Sequence, residues 1–120
     1  MIHQLIREDG GVLLARLQLA NTFWSRFLGL QFRKTLDPDQ GLMLSPCSSL
    51  HTCFMRFPID VVMLDRDHVV VGARRGVRPW RAVICDRRTH AIIETAEGSL
   101  DCRIGDRLRI DRSSGAARVA

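Results

Sequence analysis

A chain of 120 residues, 46% hydrophobic with a mean hydropathy of −0.02, is long enough for one globular core and short for two. No apolar run approaches the roughly 18 residues of a membrane span. Residues 1–9 lack the basic-then-apolar pattern of a signal peptide, so the expected compartment is the cytoplasm. The net charge of +5 and a pI near 9.8 would suit a polyanionic partner. Of the 18 basic residues, however, only Lys34 is a lysine, and the arginines alternate with acids at 65–67 and 106–112. Such alternation reads as solvated strand faces. Nucleic-acid binding through an Arg-rich surface is therefore the lesser reading, because no recognition helix or RNA-binding motif accompanies the charge. The densest basic stretch is Arg74, Arg75, Arg78, Arg81, Arg87 and Arg88, with Trp80 among them.

In chain order, 2–7 and 12–19 read as a hairpin around Asp9-Gly10-Gly11, which supplies the positive φ angles of a tight reversal. Asn21-Thr22 offers an N-cap for a short helix over 23–32, with Phe23, Phe27 and Leu30 on one side as core contacts. Pro38 and Gly41 mark a loop, and 42–44 is a short strand ended by Pro46. Further strands are expected on each side of Pro58. The run Val61-Val62-Met63-Leu64 is apolar at successive positions, as in a strand buried on both faces. Asp65-Arg66-Asp67-His68 turns it into a strand over 69–73.

Residues 75–88 are irregular apart from a short edge strand over 80–84; 91–96 is a strand ended by Glu97-Gly98. A single helical turn is expected over 99–102, and 107–111 alternates with period two and closes the sheet. One β domain over 1–112 with a fraying tail over 113–120 results. About eight short strands with one short helix imply a mainly β fold, a sandwich or a partly open barrel.

The stretch Leu50-His51-Thr52-Cys53-Phe54-Met55-Arg56-Phe57-Pro58-Ile59-Asp60-Val61-Val62-Met63-Leu64-Asp65 resembles the signature of a widespread prokaryotic family known as domain of unknown function number 192. The resemblance extends to Arg26-Phe27-Leu28-Gly29-Leu30, Gly41-Leu42-Met43-Leu44, Pro46-Cys47, Arg78-Pro79-Trp80, Ile93-Glu94 with Gly98, and Ile104-Gly105-Asp106-Arg107-Leu108. It covers nearly the whole chain. It implies a jelly-roll-like β fold with a small helical insertion, but no agreed activity. The family commonly places Gly where His68 stands, so a left-handed His68 is expected, which His tolerates better than a β-branched residue would.

Polar side chains at the ends of buried strands need partners, since an unpaired buried charge is costly. Arg56 and Asp60, on either side of Pro58, are therefore expected to pair, either to grip a carboxylate or phosphate or to fix the turn, with the structural role favoured. His51 could join them as a base or anion ligand only if the strand bends, and Thr52 could donate its hydroxyl. Glu94, in a strand that reads as core, needs a cation such as Arg26 or Arg56; Trp80 would wall that pocket or lie as a lid on the sheet. Cys47, His51 and Cys53 could offer three metal ligands, but Cys47, Cys53, Cys85 and Cys102 have no paired C-x-x-C spacing. Neither metal nor cofactor is expected, and the cysteines are read as thiols.

Three functions follow. The first is a non-enzymatic binding or accessory domain whose cluster of Arg26, His51, Thr52, Arg56, Asp60, Trp80 and Glu94 holds a small anionic ligand or a protein partner. The second is a small hydrolase or lyase using His51 and Asp60 as acid and base. The third is a nucleic-acid-binding protein. The first is preferred, because the chain has no G-x-S-x-G elbow, no Gly-rich phosphate loop and no H-E-x-x-H.

Overall fold

The Asp9-Gly10-Gly11 turn forms as its sequence dictates. Gly10 sits at φ 92°, and Arg7 N–H reaches Gly11 C=O at 2.8 Å. It joins β1 (His3–Arg7) to β2 (Val12–Ala20) in a computed structural model that describes residues 3–20, 35–53 and 55–112. The helix expected over 23–32 and the tail over 113–120 lie outside those residues. Then come β3 (Gln40–Leu44), β4 (Leu50–His51), β5 (Ile59–Leu64), β6 (Val70–Val77), β7 (Ala82–Val83), β8 (Ala91–Ala96) and β9 (Leu108–Arg112). The mainly β expectation holds.

Seven strands make one sheet in the order β6-β5-β8-β3-β2-β1-β9, and β4 pairs with β7 in a two-stranded sheet. All pairings in the large sheet are antiparallel except β2 with β3. Register breaks between β1 and β2 and between β5 and β6 increase the local twist. The sheet curls far enough for its edges to touch at one end, where Val69 bridges Arg107. This is the partly open barrel of the sequence expectation.

Strand alternation builds a core on each face. Val62, Leu64, Ile93 and Met43 join Leu5, Leu14 and Leu17 on one face, closed over by Leu100, Cys102 and Leu108. Val61, Met63, Ile92 and Leu42 occupy the other face, with Met55 and Val83 packed over them beside β4 and β7. β5 therefore contributes to both cores, and all 6 of its residues are buried, with Val61 at 0%, Val62 at 2% and Leu64 at 0% exposure.

Two local expectations fail. The strand before Pro58 stops at His51, because Met55 N–H turns back to Thr52 C=O. Residues 99–102 form no helical turn. Leu100 and Cys102, two apart, both point into the first core, and Arg75 donates to their carbonyls at 3.0 and 3.5 Å. Burial at period two and a guanidinium that takes up both carbonyls favour an extended path there.

His68 adopts φ 63° in the turn between β5 and β6, the left-handed geometry expected of it. Asp65 fixes that turn by accepting N–H groups from Asp67 and Val69 at 2.8 and 3.0 Å, and the Val69 bond leads the interactions that hold its carboxyl below the usual range. Replacing His68 with glycine removes the left-handed strain at some cost in chain entropy. Thermal or urea unfolding should show a gain of about 0.5–1 kcal/mol.

Candidate functional site

Asp60 is 2% exposed, and β5 alternation points it to the same face as Val62 and Leu64. Its partner is not Arg56. Oδ1 accepts the Gly76 N–H at 2.8 Å, Oδ2 accepts the Gly98 N–H at 2.9 Å, and Arg75 Nη1 lies 3.4 Å from Oδ2. The physical reason lies in β6. Ile59 pairs with Val77 and Val61 with Arg74, so two residues of β6, Arg75 and Gly76, oppose Asp60 alone. Gly76 takes φ 61°, which turns its N–H off the ladder and onto the carboxylate. Asp60 thus staples the β6 bulge to the turn after β8. Arg56 is exposed and, among the described residues, makes no ion pair.

Thr52 is fully buried, and both functions of its hydroxyl are used. Oγ1 accepts the Arg81 N–H at 2.8 Å and donates to Arg78 C=O at 2.6 Å. Its backbone adds bonds from Trp80 N–H to Thr52 C=O at 2.9 Å and from Thr52 N–H to Arg81 C=O at 2.8 Å. The clasp holds the 78–81 loop in a form where Trp80 adopts φ 64° and stays 59% exposed. A left-handed tryptophan is an uncommon, strained conformation that persists only when its surroundings enforce it. His51 next to the clasp is exposed, and its Nδ1 accepts the Cys53 N–H at 3.3 Å.

Glu94 is 3% exposed in β8, and it pairs across the sheet with Leu42 and Val61. Asp60 pairs with Thr95, so adjacent positions send the two carboxylates to opposite faces. The proposed cluster of Arg26, Arg56, Asp60 and Glu94 therefore does not share one pocket; Arg26 lies outside the described residues. Among those residues no group of three or more His, Cys, Asp or Glu side chains could hold a metal ion, and no helix is long and apolar enough to cross a membrane. Burial pushes the Cys85 and Cys102 thiols up, which makes them poor nucleophiles near neutral pH.

The structure gathers another set of residues that sequence spacing did not single out as a site. A groove of about 420 Å³ runs between the end of β6 and β7, lined by Arg74, Arg75, Arg78 and Arg81 with Gly76, Val77, Ala82 and Val83. Among the described residues, its lining contains no acidic side chain. Asp60 offsets Arg75, and among the described residues Arg81 Nη1 reaches Pro79 C=O alone, at 3.5 Å. One acid approaches the rim: a Cβ added at Gly76 would lie 2.7 Å from Glu97 Oε2. The doubled arginine before a glycine was the available signal, since Gly inside a strand pattern marks a bulge.

Residues 5–110 match the family model DUF192, described as an uncharacterized ACR. The chain belongs to that family. Relatives of this DUF192 chain include the UPF0127 protein of Thermococcus sibiricus, 34% identical over 109 residues that cover 85% of this chain and 70% of the relative. The UPF0127 protein PF1050 of Pyrococcus furiosus is also 34% identical, across 86% and 93% of the two chains. Among solved structures, a protein of unknown function from Novosphingobium aromaticivorans superposes with a TM-score of 0.77 at 21% identity, covering 91% of this chain and 84% of the other. A Sinorhizobium meliloti structure gives 0.74 at 22%, covering 90% and 91%. These structural likenesses bear on the fold of the DUF192 chain alone.

Proposed function

We propose that this DUF192 chain is a non-enzymatic binding domain that holds a small, multiply charged anion in the groove between β6 and β7. The observation that carries the reading is the lining, with four arginines and no carboxylate among the described residues. Guanidinium groups bind phosphate and carboxylate oxygens bidentately, and with Asp60 facing Arg75 the charges of Arg74, Arg78 and Arg81 remain for a ligand. The buried hydroxyl of Thr52 sets the position of two of these residues through their backbones, which lowers the ordering cost of binding. The acid–base alternative loses support because the Asp60 carboxylate is taken up by backbone N–H groups on the face away from the β4–β7 sheet. Cytoplasmic residence fits a ligand of this class and belongs to the same proposal.

Calorimetric titration with pyrophosphate tests the reading. Arg78→Gln with Arg81→Gln should weaken binding at least about tenfold, while Glu97→Gln should strengthen it. Equal affinity in all three proteins would refute the groove. One observation favours a second reading, binding of single-stranded nucleic acid: Trp80 stands exposed among the same arginines, and a base can stack on such an indole. The Sinorhizobium relative in fold is described as a proposed transcription regulator, which adds little at 22% identity. Tryptophan quenching by oligo(dT) that saturates and falls steeply with salt would favour this reading over a small ligand.

A further inference from the structure

The small sheet has an open edge. β7 pairs with β4 alone. Thr52 N–H donates to Arg81 C=O at 2.8 Å beside the His51–Ala82 pair, so these two residues exchange no hydrogen bonds with each other. The N–H and C=O of Ala82 therefore point away from β4, and Ala82 lines the arginine groove. Ala82 is exposed, and among the described residues neither of its backbone groups has a partner. The end of β6, the outer strand of the large sheet, forms the opposite wall.

Free N–H and C=O groups on a strand edge are a template for another extended chain, and proteins usually cover or blunt such edges. Apolar side chains flank this one, with Trp80 59% and Ile84 83% exposed on either side of Ala82. Charge completes the pattern. Arg74, Arg78 and Arg81 line the groove with no acidic side chain among the described lining residues. The charge of Arg74 also acts on the Cys85 thiol, which sets this arginine of β6 beside the segment that continues β7.

We propose that an extended peptide of alternating acidic and aliphatic residues adds as a further strand to the outer edge of β7. Its main chain pairs with Ala82, and its carboxylates meet Arg74, Arg78 and Arg81. The proposal rests on the reading of the groove as an anion site and names the partner that presents the anions. Successive side chains of a strand face opposite ways, so such a peptide offers carboxylates to the arginines and aliphatic groups to Trp80 and Ile84. Single-stranded nucleic acid would satisfy the arginines but has no main chain to pair with a β edge. A second copy of this chain, at a net charge of +5, would bring like charge to the groove. Thr52 already holds Arg78 and Arg81 by their backbones, so the edge is in place before the peptide arrives.

Titration of the full chain with a capped Glu-Val octapeptide tests this, read by calorimetry and by hydrogen exchange at the Ala82 amide. Saturable binding is expected, with Ala82 exchange slowed at least about tenfold by the peptide and left unchanged by pyrophosphate. Two further peptides carry N-methyl groups at the valines or at the glutamates. One of these sets faces β7, so one peptide should bind at least about tenfold more weakly although every charge is kept. Arg78→Gln with Arg81→Gln should weaken the parent peptide by a similar factor. Pyrophosphate binding without peptide binding would overturn strand addition and leave the anion groove standing, whereas loss of both would overturn both. Peptide binding with unchanged Ala82 exchange, or tighter binding of oligo(dT) than of the peptide, would also overturn the proposal.

Discussion

Replacing Asp60 with alanine is expected to lower the unfolding free energy by about 3 kcal/mol or more, read by urea denaturation. The carboxylate accepts two backbone N–H groups, from Gly76 and Gly98, and faces Arg75. Alanine leaves both N–H groups without an acceptor in a site only 2% exposed. Asparagine is no remedy, because its amide nitrogen would confront one of the two donors. Arg56→Met should change stability by less than about 0.5 kcal/mol, as expected of a surface position. Combining Arg56→Met with Asp60→Leu should rescue nothing, because Arg56 is not the partner. Near-native stability of Asp60→Ala would contradict the staple.

Thr52→Val should cost about 2 kcal/mol and also loosen the arginine groove. Valine matches threonine in shape but strands the Arg81 N–H and the Arg78 carbonyl that the hydroxyl serves. Those two residues line the groove, so the stability loss should come with weaker pyrophosphate binding and altered Trp80 fluorescence. Thr52→Ser keeps the hydroxyl and should recover most of both. A valine variant with full stability and full affinity would show that the clasp does not position the loop.

The sequence is most legible where one local rule decides the outcome. The unbroken apolar run of 61–64 could only be buried on both faces, and it is. The Asp9-Gly10-Gly11 turn follows from backbone geometry alone, whereas the left-handed His68 follows from the family's use of Gly at that position. Reading fails where two distant segments decide. Asp60 and Glu94 each read correctly as buried acids, but their faces depend on the register of β5 against β8, which no spacing within either strand reveals. Likewise, the extra residue in β6 opposite Asp60 makes Arg75 the partner, although Arg56 is nearer in sequence. Thr52 reads correctly as a hydroxyl donor, but its partners, Arg78 and Arg81, lie 26 and 29 positions away, beyond what local spacing reveals. The 99–102 segment has local helical character that burial of Leu100 and Cys102 overrides.

The central claim is that the chain binds its anion in the β6–β7 groove and not at the His51, Arg56 and Asp60 signature. Mapping amide shifts during pyrophosphate titration tests it most directly. Saturable changes concentrated at 74–83, and lost in the Arg78→Gln, Arg81→Gln variant, are the predicted result. Changes centred on His51 and Arg56 that survive in that variant would contradict it.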